Sequence, residues 1–99
     1  MEASLKKLAD CGINLLPALE LTTHFVFERD GFVSLVERRE TGFGNIGAPG
    51  LLFEKGMAQL IWRGEKAFFV AKGFEREASE EEVVGLRRFA TDLKISLAE

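Results

Sequence analysis

One histidine, one cysteine and no tyrosine leave few side chains on which catalysis could rest in this 99-residue chain. Strand counting sets His24 opposite Glu37, and a carboxylate beside an imidazole can hold one tautomer for proton transfer. The sequence fixes no nucleophile near them. A cross-strand pair of this kind also serves simply as a contact worth roughly a few tenths of a kcal/mol. Cys11 falls at the C-terminal end of an expected helix, away from the N-terminal end where a helix dipole activates a thiol. It is expected to be a small, buried or half-buried apolar group. A single cysteine closes no disulfide within the chain, and one histidine without ligand spacing supports no zinc site. No metal and no cofactor are expected.

The string Gly42-Phe43-Gly44-Asn45-Ile46-Gly47 satisfies G-x-G-x-x-G. As a dinucleotide fingerprint it must follow a strand and open a helix within a βαβ unit. Here it runs into Ala48-Pro49-Gly50 and a further strand. Val70-Ala71-Lys72 faintly mimics the lysine strand that follows a kinase glycine loop, but no H-R-D or D-F-G sequence follows. The string is therefore expected to be a mobile connection with glycines at positive φ. Gly42, Gly44 and Gly47 remain candidates for cradling a small anion or a partner's backbone through free N–H groups.

Composition narrows the classes further. The hydrophobic fraction is 46% and the charged fraction 29%, too apolar for a disordered chain and ordinary for a folded one. The net charge of −3 supplies no field to recruit nucleic acid or an anionic membrane. Residues 1–9 lack the apolar run of a secretory signal, and no apolar stretch approaches the ~20 residues of a membrane span. A cytoplasmic protein with a reduced thiol is the expectation. Nine Phe and one Trp call for burial in a core or an interface.

The elements that must position these groups follow from turn chemistry and periodicity. Residues 3–11 predict a short helix with Leu5, Leu8 and Ala9 on one face, stopped by Gly12. Two strands, Leu19–Arg29 and Phe32–Arg39, flank Asp30-Gly31, a two-residue hairpin signal. One side of that hairpin carries Leu19, Leu21, Phe25, Phe27, Phe32 and Val36; the other is mixed. Leu51–Phe53 predicts a short strand turning at Lys55-Gly56. A second hairpin, Met57–Arg63 and Lys66–Lys72, closes on Gly64-Glu65 with the glycine in a II′ position. It is apolar on both faces: Ile61, Phe68 and Val70 on one, Leu60, Trp62 and Phe69 on the other. Ser79 and Glu82 form a capping box. Val83, Leu86, Phe89, Ala90, Leu93 and Leu97 then make the stripe of a helix lying on a sheet. The charge runs, including Glu75-Arg76-Glu77 and Arg87-Arg88, are expected to be solvated faces.

Residues 1–99 are expected to form a single α+β domain. Its antiparallel sheet has four to five strands in two hairpins, with the C-terminal helix packed on one face and a short N-terminal helix. Small acidic proteins of this outline include secretion chaperones and other dimeric modules, a likeness of outline that carries no function. One helical stripe covers one sheet face, so the second apolar face calls for a partner. The favoured function is a homodimeric protein-interaction or binding module, leaning away from an enzyme. Its interface draws on Ile61, Trp62, Phe68 and Val70, with another protein as a further partner and neither nucleic acid nor membrane. The alternative is a small-molecule-binding protein or small enzyme. It would use a pocket between sheet and helix with His24 and Glu37, or the glycine-rich loop 42–50.

Overall fold

A computed structural model describes residues 2–17, 22–53 and 56–98. In chain order they form α1 (Glu2–Asp10), β1 (Asn14–Leu16), β2 (His24–Arg29), β3 (Phe32–Arg39) and β4 (Gly42–Ile46). Then follow β5 (Gly50–Phe53), β6 (Gly56–Arg63), β7 (Lys66–Ala71), β8 (Phe74–Glu77) and α2 (Glu80–Leu97). The eight strands make one antiparallel sheet, ordered β1-β2-β3-β5-β6-β7-β8 with β4 also on β3. The sheet curls as a half-barrel with a helix at each end of the chain.

Turn chemistry fixes two registers. Asp30 and Gly31 have φ of +55° and +87°, the paired positive values a type I′ turn needs. Arg29 therefore opposes Phe32, Phe25 opposes Val36, and His24 opposes Glu37. Gly64 has φ +66° while Glu65 does not share the positive value, and Arg63 opposes Lys66, Ile61 opposes Phe68, and Gln59 opposes Val70. The expected starts of the first strand, Leu19 and Leu21, lie outside the described residues, as does Lys55.

The expected count of four to five strands is corrected to eight. The additional strands have three to five residues each, too short to show a period. The glycine-rich segment is not a loose connection. β4 and β5 lie one after the other along the same edge of β3. Between the pairs Arg38–Phe43 and Val36–Ile46 the β4 side gains one residue. It gains another before Val33 meets Gly50. Such bulges hide strand alternation from a count along the sequence. β8 arises because Gly73, at φ +77°, reverses the chain and sets Phe74 opposite Ala71.

Registers sort the side chains into two faces. Phe25, Phe27, Phe32, Val36, Leu51, Ala58, Leu60 and Phe69 share the inner face. These pack with Leu86, Phe89, Leu93 and Leu97 of α2 and with Leu8 of α1. α2 starts as expected: Glu82 N–H donates to Ser79 Oγ at 3.1 Å, and Ser79 N–H donates to Glu82 Oε1 at 2.9 Å. α1 departs from its expected face. Ser4 and Leu8 are buried while Leu5 and Ala9 are exposed, because α1 packs on α2 through one narrow line. Arg29 ties the layers, its Nη1 donating to Asp92 Oδ2 at 2.8 Å and to the Cys11 carbonyl at 3.0 Å. Cys11 itself is exposed, a correction to its expected burial. Its Sγ still lies 3.7 Å from the buried Ser96 Oγ.

Candidate functional site

Alternation places His24, Val26, Glu28, Val33, Leu35 and Glu37 on the outer face of the first hairpin. On the second hairpin the same face carries Gln59, Ile61, Phe68 and Val70. Both helices lie on the inner side, so among the described residues no helix covers this row. Ile61 is 41% exposed, and Leu52, one strand over, is 43% exposed. Val26, Leu35, Phe68 and Val70 are half-buried. Three ion pairs border the row, and Glu28 accepts hydrogen bonds from Asn14 Nδ2 and the Gly31 N–H. Arg39 Nε donates to Glu37 Oε1 at 2.7 Å, Arg63 lies 2.6 Å from Glu75, and Lys66 lies 3.9 Å from Glu77. The outer face is thus apolar along its middle, with ion pairs at its margins and one carboxylate, Glu28, outside them.

His24 and Glu37 are opposed in register, yet each side chain has another partner. His24 Nδ1 sits 2.8 Å from Thr23 Oγ1, and the Glu37 carboxylate holds Arg39. Both stand on the outer face, away from the space between the sheet and α2.

Of the three candidate glycines, Gly44 and Gly47 serve close approach, whereas Gly42 has open space around it. Gly42 has φ +148°, and a Cβ at Gly44 would run into the Glu37 and Arg39 side chains that cross it. The Gly47 N–H donates to the Leu35 carbonyl at 2.7 Å, and its own carbonyl accepts from Ser34 Oγ at 2.7 Å. Of the three, only Gly42 has the positive φ expected of all. With Gly47 bonded to β3 on both sides, the segment presents a bulged strand edge in place of an open ring of N–H donors.

Trp62 parts company with the other interface candidates. It lies opposite Ala67 on the inner face, but 50% of it is exposed. α2 begins only after Ser79, so the helix reaches the tip of the β6–β7 hairpin at its first turn. A cavity of about 470 Å³ remains there, walled by Trp62, Ala67, Val83 and Val84 and rimmed by Glu65 and Glu80. Arg87 of α2 reaches to 6.0 Å from the Trp62 ring centre.

No family model, curated protein or solved structure matches the chain. Function therefore rests on the geometry. Among the described residues no three metal-ligating side chains gather, and no helix is long and apolar enough to cross a membrane.

One structural group escaped the sequence. Arg76, expected on a solvated charge run, donates to both Glu82 carboxylate oxygens at 2.9 and 2.6 Å. Its guanidinium lies 5.5 Å from the Phe69 ring centre. The bidentate bond from Arg76 is the main reason the Glu82 carboxyl drops from 4.5 to about 2, with the Ser79 backbone N–H and side chain adding to it against some desolvation. Arg76 is raised in turn by the same hydrogen bond. The available signal was Gly73 followed by an apolar Phe74, which together announce a strand.

Proposed function

We propose that this protein is a homodimeric interaction module of the cytoplasm, joining two copies through the outer face of its sheet. The observation that carries this is the apolar row Val26, Leu35, Ile61, Phe68 and Val70 on the face opposite both helices. Ile61 is exposed and the other four are half-buried, and contiguous apolar side chains left open to water mark association surfaces. A two-fold contact is the commonest way for a small chain to bury one. The charge pattern favours a second copy over other partners. Glu37–Arg39, Arg63–Glu75 and Lys66–Glu77 are neutralised within the chain and Glu28 adds a negative charge, so the face offers no positive field to a nucleic acid or an anionic bilayer. Ile61, Phe68 and Val70 are the central residues of this contact; Trp62 lies on the other side of the sheet.

Light scattering at tens of micromolar tests the proposal. The wild type is expected at twice 11.0 kDa, and Phe68→Glu at the monomer mass with its circular dichroism retained. A wild type that runs as a monomer overturns the contact. A second function, small-molecule binding between sheet and helix, is favoured by the open cavity at Trp62.

A further inference from the structure

We infer that the cavity between the β6–β7 tip and the head of α2 binds a cationic organic group, a guanidinium or an alkylammonium on a short apolar body. Its volume of about 470 Å³ falls within the range of small-ligand pockets. It stands at the mouth of a half-barrel, on the inner side of the sheet, and does not depend on the outer-face contact.

Three features select the ligand class. The Trp62 ring is half-exposed although its register neighbour Ala67 is buried, and the indole lines the space. Val83 and Val84 supply an apolar wall, suited to the methylenes of an arginine or the methyl groups of a quaternary amine. Glu65 and Glu80 rim the cavity, while Lys66 and Glu77 border it from strand positions whose side chains belong to the outer face. Lys66 is occupied by Glu77 at 3.9 Å, which leaves Glu65 and Glu80 without an ion pair among the described residues. An aromatic face beside unpaired carboxylates attracts organic cations and repels anions. The ring already attracts Arg87, held at 6.0 Å, near the outer limit of such contacts. An incoming cation competes with that side chain, and the expected affinity is in the millimolar range. The positive end of the α2 dipole opposes a cation, but Glu80 and Glu81 in the first turn offset it.

Trp62 is the only tryptophan, so its fluorescence and its indole N–H resonance report directly on the cavity. The probes are N-acetylarginine amide and tetramethylammonium, with N-acetylcitrulline amide and salt-matched sodium chloride as controls. A saturable response to either cation, absent with both controls and weakened at least ~3-fold in Glu65→Gln/Glu80→Gln, supports the site. The stronger of the two cations decides between a peptide side chain and a free quaternary amine. An equal response to the citrulline compound, or no shift in either signal with both cations, overturns it. Scattering from the same samples shows the outer-face contact independently.

Discussion

Gly85 of α2 lies against the ring of Phe32 in β3: a Cβ at residue 85 would stand 3.0 Å from Phe32 Cε2. The helix crosses the sheet closely at this point because one of its residues has no side chain. A glycine in a helix interior costs about 1 kcal/mol relative to alanine, and the close crossing offsets that cost. Gly85→Ala is expected to destabilise the protein by about 0.5–1 kcal/mol, since overpacking a filled core outweighs the helical gain. Gly85→Ala combined with Phe32→Leu should show a favourable coupling in a double-mutant cycle of urea melts. Strict additivity of the two changes would mean the crossing has slack.

Gly50 is more exacting. It pairs with Val33 on one side and Gln59 on the other, bridging the two halves of the sheet. A Cβ there would collide with the Ala58 carbonyl, which is backbone, and would stand 2.7 Å from Met57 Cγ. Gly50→Ala is expected to cost about 1–3 kcal/mol. Gly44→Ala meets chiefly the flexible ends of Glu37 and Arg39 and should cost less. Chemical denaturation of both variants ranks them, and the reverse order would contradict this junction.

Ser79→Ala removes the acceptor for the Glu82 N–H and is expected to lower stability by about 0.5–2 kcal/mol. Ser79→Asp should restore most of the loss. An unchanged denaturation midpoint in the alanine variant would place the start of the helix elsewhere.

Acid should release the same corner. The Glu82 carboxyl titrates at about 2 when folded, below its ordinary 4.5, so its contribution is complete above roughly pH 5 and fades as pH falls toward 2. Solvent screens the pair, and a contribution of about 0.5–1 kcal/mol is expected. Urea midpoints of the wild type and Glu82→Gln should differ at pH 6 and converge near pH 2. A constant difference across that range would remove the ion pair from the account.

Much of the architecture was legible where chemistry is local. Asp30-Gly31 and Gly64-Glu65 fix their hairpins because few residues tolerate those turns, and Ser79 with Glu82 announces α2 within four positions. The failures are equally physical. The segment 42–50 alternates poorly because Gly44 makes room for Glu37 and Arg39 and Gly47 for Leu35, and the two bulges shift its phase. The helical period groups Leu5 with Leu8, but the depth of the α1–α2 groove decides which face is buried. The inner and outer rows of β6 and β7 followed from register, which is why Ile61, Phe68 and Val70 could be grouped in advance. The Trp62 cavity could not, because it depends on where α2 begins relative to a hairpin tip some fifteen residues earlier.

The meander has a consequence for how the chain is made. Each strand pairs with one close to it in sequence, so hairpins can zip as they leave the ribosome, with short loops to close. Their cover is different. α2 follows every strand, and its junction with α1 joins Cys11 and Ser96, 85 positions apart. In refolding, strand circular dichroism is expected to recover before Trp62 fluorescence, which reports the arrival of α2. Until that arrival the phenylalanines of the inner row face water, and the nascent sheet is at its stickiest when it is already fully paired.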